Sequence, residues 1–244
     1  MRTIIKCSVA TLLLLCGLSI SAQAQTFASL EQVVSRLQEE KAPSALAKTL
    51  RLSSCGRTSS CSGYDMAIRV LHPHLDATTE TAIVQVEQLQ SADLVVFVHN
   101  SDGSWTWVDS LPLEFRYEPL KLEFRSLVKA PVEEIIVHNN TADSGTGIYQ
   151  GHFLIIKFVS GRLQVVFAAT AKENADPVGG IPWEAVSTFQ LASSGGETPS
   201  VARPATVTQT TKYEIGRRHH TVVRTFAWDD RFKVFLPEMG DKIQ

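Results

Sequence analysis

A 244-residue chain with 23 lysines and arginines against 25 aspartates and glutamates carries a formal charge of −2, and no basic cluster in it exceeds Arg217-Arg218 with His219-His220. That balance excludes a nucleic-acid-coating surface, which needs a dense cationic patch. With 44% hydrophobic residues the chain can bury one sizeable core or two small ones.

Residues 1–24 have the parts of an export signal. Arg2 and Lys6 make a positive start, residues 7–18 are mostly apolar, and Ala22-Gln23-Ala24 supplies the small residues signal peptidase requires before Gln25. A membrane anchor is the alternative, but the run falls short of the roughly 20 residues needed to span a bilayer. A lipoprotein centred on Cys16 is another, although Leu13-Leu14-Leu15 lacks the small residue expected beside the modified cysteine. Export with cleavage is the expectation, to the periplasm or the extracellular space. No second long apolar segment follows, so no transmembrane segment is expected after cleavage.

Two cysteines remain, in Cys55-Gly56-Arg57-Thr58-Ser59-Ser60-Cys61. In an oxidising compartment an isolated pair forms a disulfide; two free thiols are the alternative. Zinc is disfavoured because no further Cys or His lies at ligand spacing.

Ser29 and Gln32 have the form of a capping box, and Leu30, Val33, Val34 and Leu37 follow at helical spacing. Pro43 stops that helix, and a second, short one is predicted over 44–52 with Leu46 and Leu50 on one side. The apolar stripe packs on a sheet or, alternatively, receives a partner. Strands are predicted over 66–71 and 82–89. A first hairpin joins 94–99 to 104–108 through Asn100-Ser101-Asp102-Gly103. Trp105 and Trp107 share a face of its second strand, set to close a core or to stack on sugar or peptide.

The chain's centre is residues 134–167, where three apolar runs are separated by turn-forming clusters. The last two meet at Ser160-Gly161, a short turn in which glycine accepts positive φ. Lys157 places Phe153 and Ile155 nearer solvent and Ile156 in the core. After a strand over 185–191 and the linker-like 193–199, a third hairpin joins 221–227 to 231–236. The expected organisation is thus a signal peptide over 1–24, a helical lead-in with the cysteine loop over 25–63, and β-hairpin modules one and two over 64–192. A linker-like loop over 193–204 and a third module over 205–244 complete it. The fold class is all-β, mainly antiparallel hairpins in a partial propeller-like or sandwich arrangement, with a short N-terminal helical segment.

Residues 130–137, Gly145-Thr146-Gly147, the turn at Gly161 and residues 226–232 together resemble secreted bacterial proteins built from FG-GAP-like β-hairpin repeats. The resemblance implies their hairpin fold. Those repeats commonly carry an acidic calcium loop, but the matching position here reads Ser126-Leu127-Val128-Lys129-Ala130-Pro131, without a carboxylate. No metal or other cofactor is therefore expected.

Histidines are the best raw material for chemistry. His219 and His220 are adjacent in a strand and point to opposite faces, and His72 and His74 flank a proline with no third ligand in view. His99-Asn100 and His138-Asn139 recur before Asp-containing turns, as a functional rim or as turn chemistry. Glu133-Glu134 and Asp229-Asp230 are neighbours, and adjacent side chains seldom aim at one substrate. Asn139-Asn140-Thr141 is a glycosylation sequon. Nucleophile-elbow, zinc-protease and phosphate-loop motifs are absent, so no catalytic or ligand-binding residue is nominated. The functional expectation is an exported, non-catalytic binding or structural module of the cell envelope or extracellular space, its partner a protein or glycan there. A secreted or periplasmic hydrolase with a loop-assembled site is the rival.

Overall fold

In a computed structural model most of the chain runs as antiparallel β-strand. The described residues are 25–39, 45–52, 67–88, 91–114, 120–143, 148–175, 181–195, 203–238 and 242–243. The export signal and the expected Cys55–Cys61 disulfide lie outside them. A five-stranded sheet holds β1 (Thr26–Phe27), β2 (Ala67–Leu71), β3 (Thr81–Gln88), β4 (Ser91–His99) and β5 (Trp105–Glu114), in the order β1-β5-β4-β3-β2. A nine-stranded sheet follows as a meander. It runs through β6 (Lys121–Arg125), β7 (Glu134–Asp143), β8 (Ile148–Val159), β9 (Arg162–Ala175) and β10 (Trp183–Ala192). It continues through β11 (Thr206–Ile215), β12 (Arg218–Asp229) and β13 (Val234–Pro237), with β14 (Lys242–Ile243) also on β12. This second sheet curls into a half-barrel. The expected all-β class with a short helical lead-in is what the structure has.

The helices α1 (Leu30–Glu39) and α2 (Ala45–Thr49) cover the outer face of the five-stranded sheet. Ser29 caps α1 by accepting from the Gln32 N–H at 3.3 Å, and the Gln32 side chain reaches back to the Ala28 N–H at 3.2 Å. Leu30, Val33 and Leu37 turn inward onto Val95, Phe97, Trp105 and Trp107. The tryptophan pair therefore closes a core; both rings are buried.

The sheet's other face lies on the back of the half-barrel, where Ile83, Leu94 and Val96 meet Ile135, Val137, Leu154 and Ile156. Side chains alternate along a strand, so residues 134, 136, 153, 155 and 157 face the other way, into the curl. There Ile136, Phe153, Ile155, Phe167, Val207, Trp228 and Phe235 form a further core. Hence β7 and β8 are covered on both sides, which is why they read as continuous apolar runs rather than alternating ones. Each fully buried aliphatic there contributes on the order of 1.5–3 kcal/mol. The Asp109 carboxylate accepts from the Leu163 N–H at 2.7 Å and ties the β8–β9 hairpin to β5.

The turns follow the residues that make them. Ser160 and Gly161 both have positive φ, 51° and 78°, as a two-residue turn matched to strand twist requires. Gly216 alone does so between β11 and β12, at 59°. The three hairpins read from the sequence are β4–β5, β8–β9 and β12–β13. The first is in one sheet and the other two are in the second.

Lys157 corrects the solvent-facing assignment. It points into the curl, its side chain only 14% exposed, and pairs with Glu134, which is wholly buried. With both faces of β8 packed, no solvent side is left for it. Ile156→Ala should cost about 2–5 kcal/mol through lost burial and a cavity. Lys157→Ala should cost about 3–5 kcal/mol because it strands the Glu134 charge. Chemical denaturation of the two variants checks this; a Lys157→Ala cost within about 0.5 kcal/mol would mean that the side chain faces water.

Candidate functional site

In a meander, alternate connections fall at the same end. One end of the half-barrel holds the β6–β7, β8–β9, β10–β11 and β12–β13 connections; the other holds those of β7–β8, β9–β10 and β11–β12.

The first end is tied shut. Glu134 gives one carboxylate oxygen to Lys157 and the other to the Leu127 and Val128 N–H groups, at 2.8 and 3.3 Å. The loop between β6 and β7 is thus organised by a carboxylate arriving from the next strand. The six-residue window 126–131 could not reveal it. The Ser194 N–H and Ser193 hydroxyl reach across from the end of β10 to the Leu127 and Ser126 carbonyls, both at 2.7 Å, and the Ser194 hydroxyl takes that of Val128. Ser193 and Ser194, which open the stretch read as linker-like, are here a clasp. Glu133 turns away from Glu134: its carboxylate accepts from the His74 N–H at 2.8 Å, and its own N–H donates to the His74 carbonyl at 2.7 Å. Trp228 lies over Lys157, with the ammonium 5.8 Å from the ring centre. Asp230 accepts from the Trp228 indole N–H at 3.0 Å and pairs with Lys233, which hold its carboxyl below the usual range. Asp229 caps the same turn through the Arg231 and Phe232 N–H groups. Every acidic pair at this end is occupied in structure.

The second end is different. Register places Gln150, Glu173, Ala185, Tyr213 and His220 in one row across five strands, on the face that in β10 to β12 carries the apolar core lower down, with a register shift at Gly151/His152 separating Gln150 from the apolar run of β8. The Gln150 amide donates to Glu173 at 2.6 Å, and the Tyr213 and His220 rings stack at 4.7 Å and 7°. The next row toward the core has Ser187, Thr211 and Val222, and beyond Thr211 on its own strand lies Gln209. Strands β9 and β10 pair only where 172–175 meet 183–186, then part. Gln209 fills the gap, donating to the Thr170 carbonyl at 3.3 Å and the Ser187 hydroxyl at 3.0 Å, with Ser187 in turn 2.9 Å from Thr211. Gln209 and Thr211 are buried, Tyr213 is half-buried and His220 is exposed, so polarity and exposure rise together toward the end.

The sequence's histidines do not assemble. His99 stacks on Trp105 at 4.6 Å and pairs with Glu80 at 2.9 Å, while Asn100 bonds Ser104 and Thr106 within the turn. His138 sits in the other sheet, edge-on to Phe153 and 3.5 Å from Glu123. His72 contacts Trp105 just past β2, and His219 and His220 take opposite faces, the former 3.5 Å from Glu214. Among the described residues no group of three or more His, Cys, Asp or Glu is placed to hold a metal ion. No described helix is long and apolar enough to cross a membrane. Comparison of the chain with family models, with curated proteins and with solved structures finds no match in any of the three.

The polar strip was missed because Ser187, Gln209, Thr211 and Tyr213 are ordinary strand residues singly. The available signal was the alternation in residues 207–213, where Val207 shares its face with Gln209, Thr211 and Tyr213. Replacing the hydroxyl pair together, Ser187→Ala with Thr211→Val, leaves the Gln209 amide with the Thr170 carbonyl as its acceptor and should cost about 1–2 kcal/mol. Thermal and chemical unfolding of the double variant checks this; a loss of several kcal/mol would show the strip to be structural.

Proposed function

We propose that this protein is an exported, non-catalytic binding module of the cell envelope or extracellular space, and that its partner, a protein or glycan, engages the polar end of the half-barrel. One observation carries the reading: a single interior face changes from apolar to polar along the same strands. Buried polar groups stabilise less than well-packed apolar ones even when hydrogen-bonded, so a face serving stability alone has no reason to carry them. The stacked Tyr213–His220 pair beside the Gln150–Glu173 pair offers ring faces and hydrogen-bonding groups together, the mixture that peptide and sugar surfaces require. The signal-like residues 1–24 and the resemblance to secreted FG-GAP-like hairpin proteins support the exported setting.

A photo-crosslinking residue at Tyr213, compared with one at Thr208 on the opposite face of β11, tests the proposal in the producing cells. Specific capture of an envelope or extracellular component from Tyr213 alone is expected. Equal or absent capture from both positions would remove the binding face, and cleavage of the captured component would overturn its non-catalytic character.

A further inference from the structure

At the same end, but on its outermost rim, two segments meet. The Gly216 N–H donates to the Pro182 carbonyl at 3.2 Å, and a Cβ on Gly216 would lie 3.4 Å from Ile181 Cγ2. Trp183 is the register partner of Ile215, and Ile215 that of Arg218. The rim therefore groups Ile181, Trp183 and Ile215 with Arg217 and Arg218 around one two-residue turn. Ile181 is 65% and Ile215 43% exposed, and every residue from 214 to 220 is exposed.

Folding gains nothing from aliphatic side chains held in water, and two of them side by side at a hairpin tip call for a partner. The charges say of what kind. The acids nearest the tip are already engaged, Glu214 with His219 at 3.5 Å and Glu184 with Lys172 at 3.3 Å. Arg217 and Arg218 make no ion pair among the described residues. The five side chains of this tip are far fewer than the roughly 20–30 residues a side that a stable protein contact engages. It does match shallow entry into a bilayer interface, where aliphatic and indole groups sit at the headgroup boundary and guanidinium groups fork onto phosphate oxygens.

We propose that this rim seats on an anionic phospholipid surface, with Ile181, Trp183 and Ile215 entering the interface and Arg217 and Arg218 holding lipid phosphates. The proposal goes beyond the binding reading above and uses other residues, so either can fail alone: loss of Tyr213 capture leaves lipid contact untouched, and the reverse.

Tryptophan quenching by brominated lipids tests it in the full chain. Trp105, Trp107 and Trp228 are buried, and residues 1–24 contain no tryptophan, so quenching reports Trp183 whatever else touches the vesicle. Vesicles containing brominated phosphatidylglycerol should quench the emission, brominated phosphatidylcholine vesicles should not, and Trp183→Phe should abolish the effect. Arg217→Ser with Arg218→Ser should weaken the quenching-detected affinity by about 25-fold at low salt, about fivefold for each arginine. Absent quenching, quenching that survives Trp183→Phe, equal quenching by both lipids, or an unchanged arginine variant would each overturn the proposal. So would polyglutamate shifting Trp183 emission where anionic vesicles do not, which would assign the rim to an acidic polypeptide.

Discussion

Everything at the tied end of the half-barrel depends on one buried ion pair. Taking a carboxylate and an ammonium out of water costs several kcal/mol for each ion, and only close pairing with the remaining lone pairs satisfied offsets it. Glu134 meets both conditions, with Lys157 on one oxygen and two backbone N–H groups on the other. The constraint reaches outward from there. The pair is compatible only with the register in which Ile135 lies opposite Ile156, because a one-residue slip would turn one of the charges into the apolar contact between the sheets. The loop that Glu134 organises is the one that Ser193 and Ser194 clasp, so the pair and the end of β10 meet on the same backbone. Trp228 closes over the ammonium from the opposite wall.

The layering explains the division of labour between the two ends. The central strands β7 and β8 have the five-stranded sheet on one side and the folded-over wall of their own sheet on the other. Phe153 stacks on Phe189 at 4.2 Å, and Phe167 meets Phe226 edge-on at 4.9 Å, filling the curl from wall to wall. Toward the other end, where β9 and β10 are joined only through residues 172–175 and 183–186, the lining becomes amide, hydroxyl, phenol and imidazole. A fold anchored so firmly at one end can keep a less stable, polar surface at the other.

Much of the local structure was legible in the sequence because it is set by neighbours. Ser29 with Gln32 marked the start of α1, Ser160-Gly161 marked a turn of positive φ, and Trp105 with Trp107 marked an inward face. What was not legible depends on residues far apart. Lys157 looked solvent-facing because alternation assumes one wet side, and nothing local says that β8 has none. Glu134 looked like half of an idle acidic pair, whereas its partners are 23 residues downstream and six to seven upstream. The polar strip exists only because strand register sets side by side residues of β10, β11 and β12 that lie far apart in the chain.

The double-mutant cycle of Glu134→Gln and Lys157→Met tests the central claim most directly, by equilibrium unfolding of the two single variants and the double. If the pair organises the tied end, each single change strands a buried partner and costs several kcal/mol, while the double falls short of their sum by about 2 kcal/mol or more. Additive costs, within about 0.5 kcal/mol, would mean that the two side chains act independently and that the curl is held by its apolar walls alone.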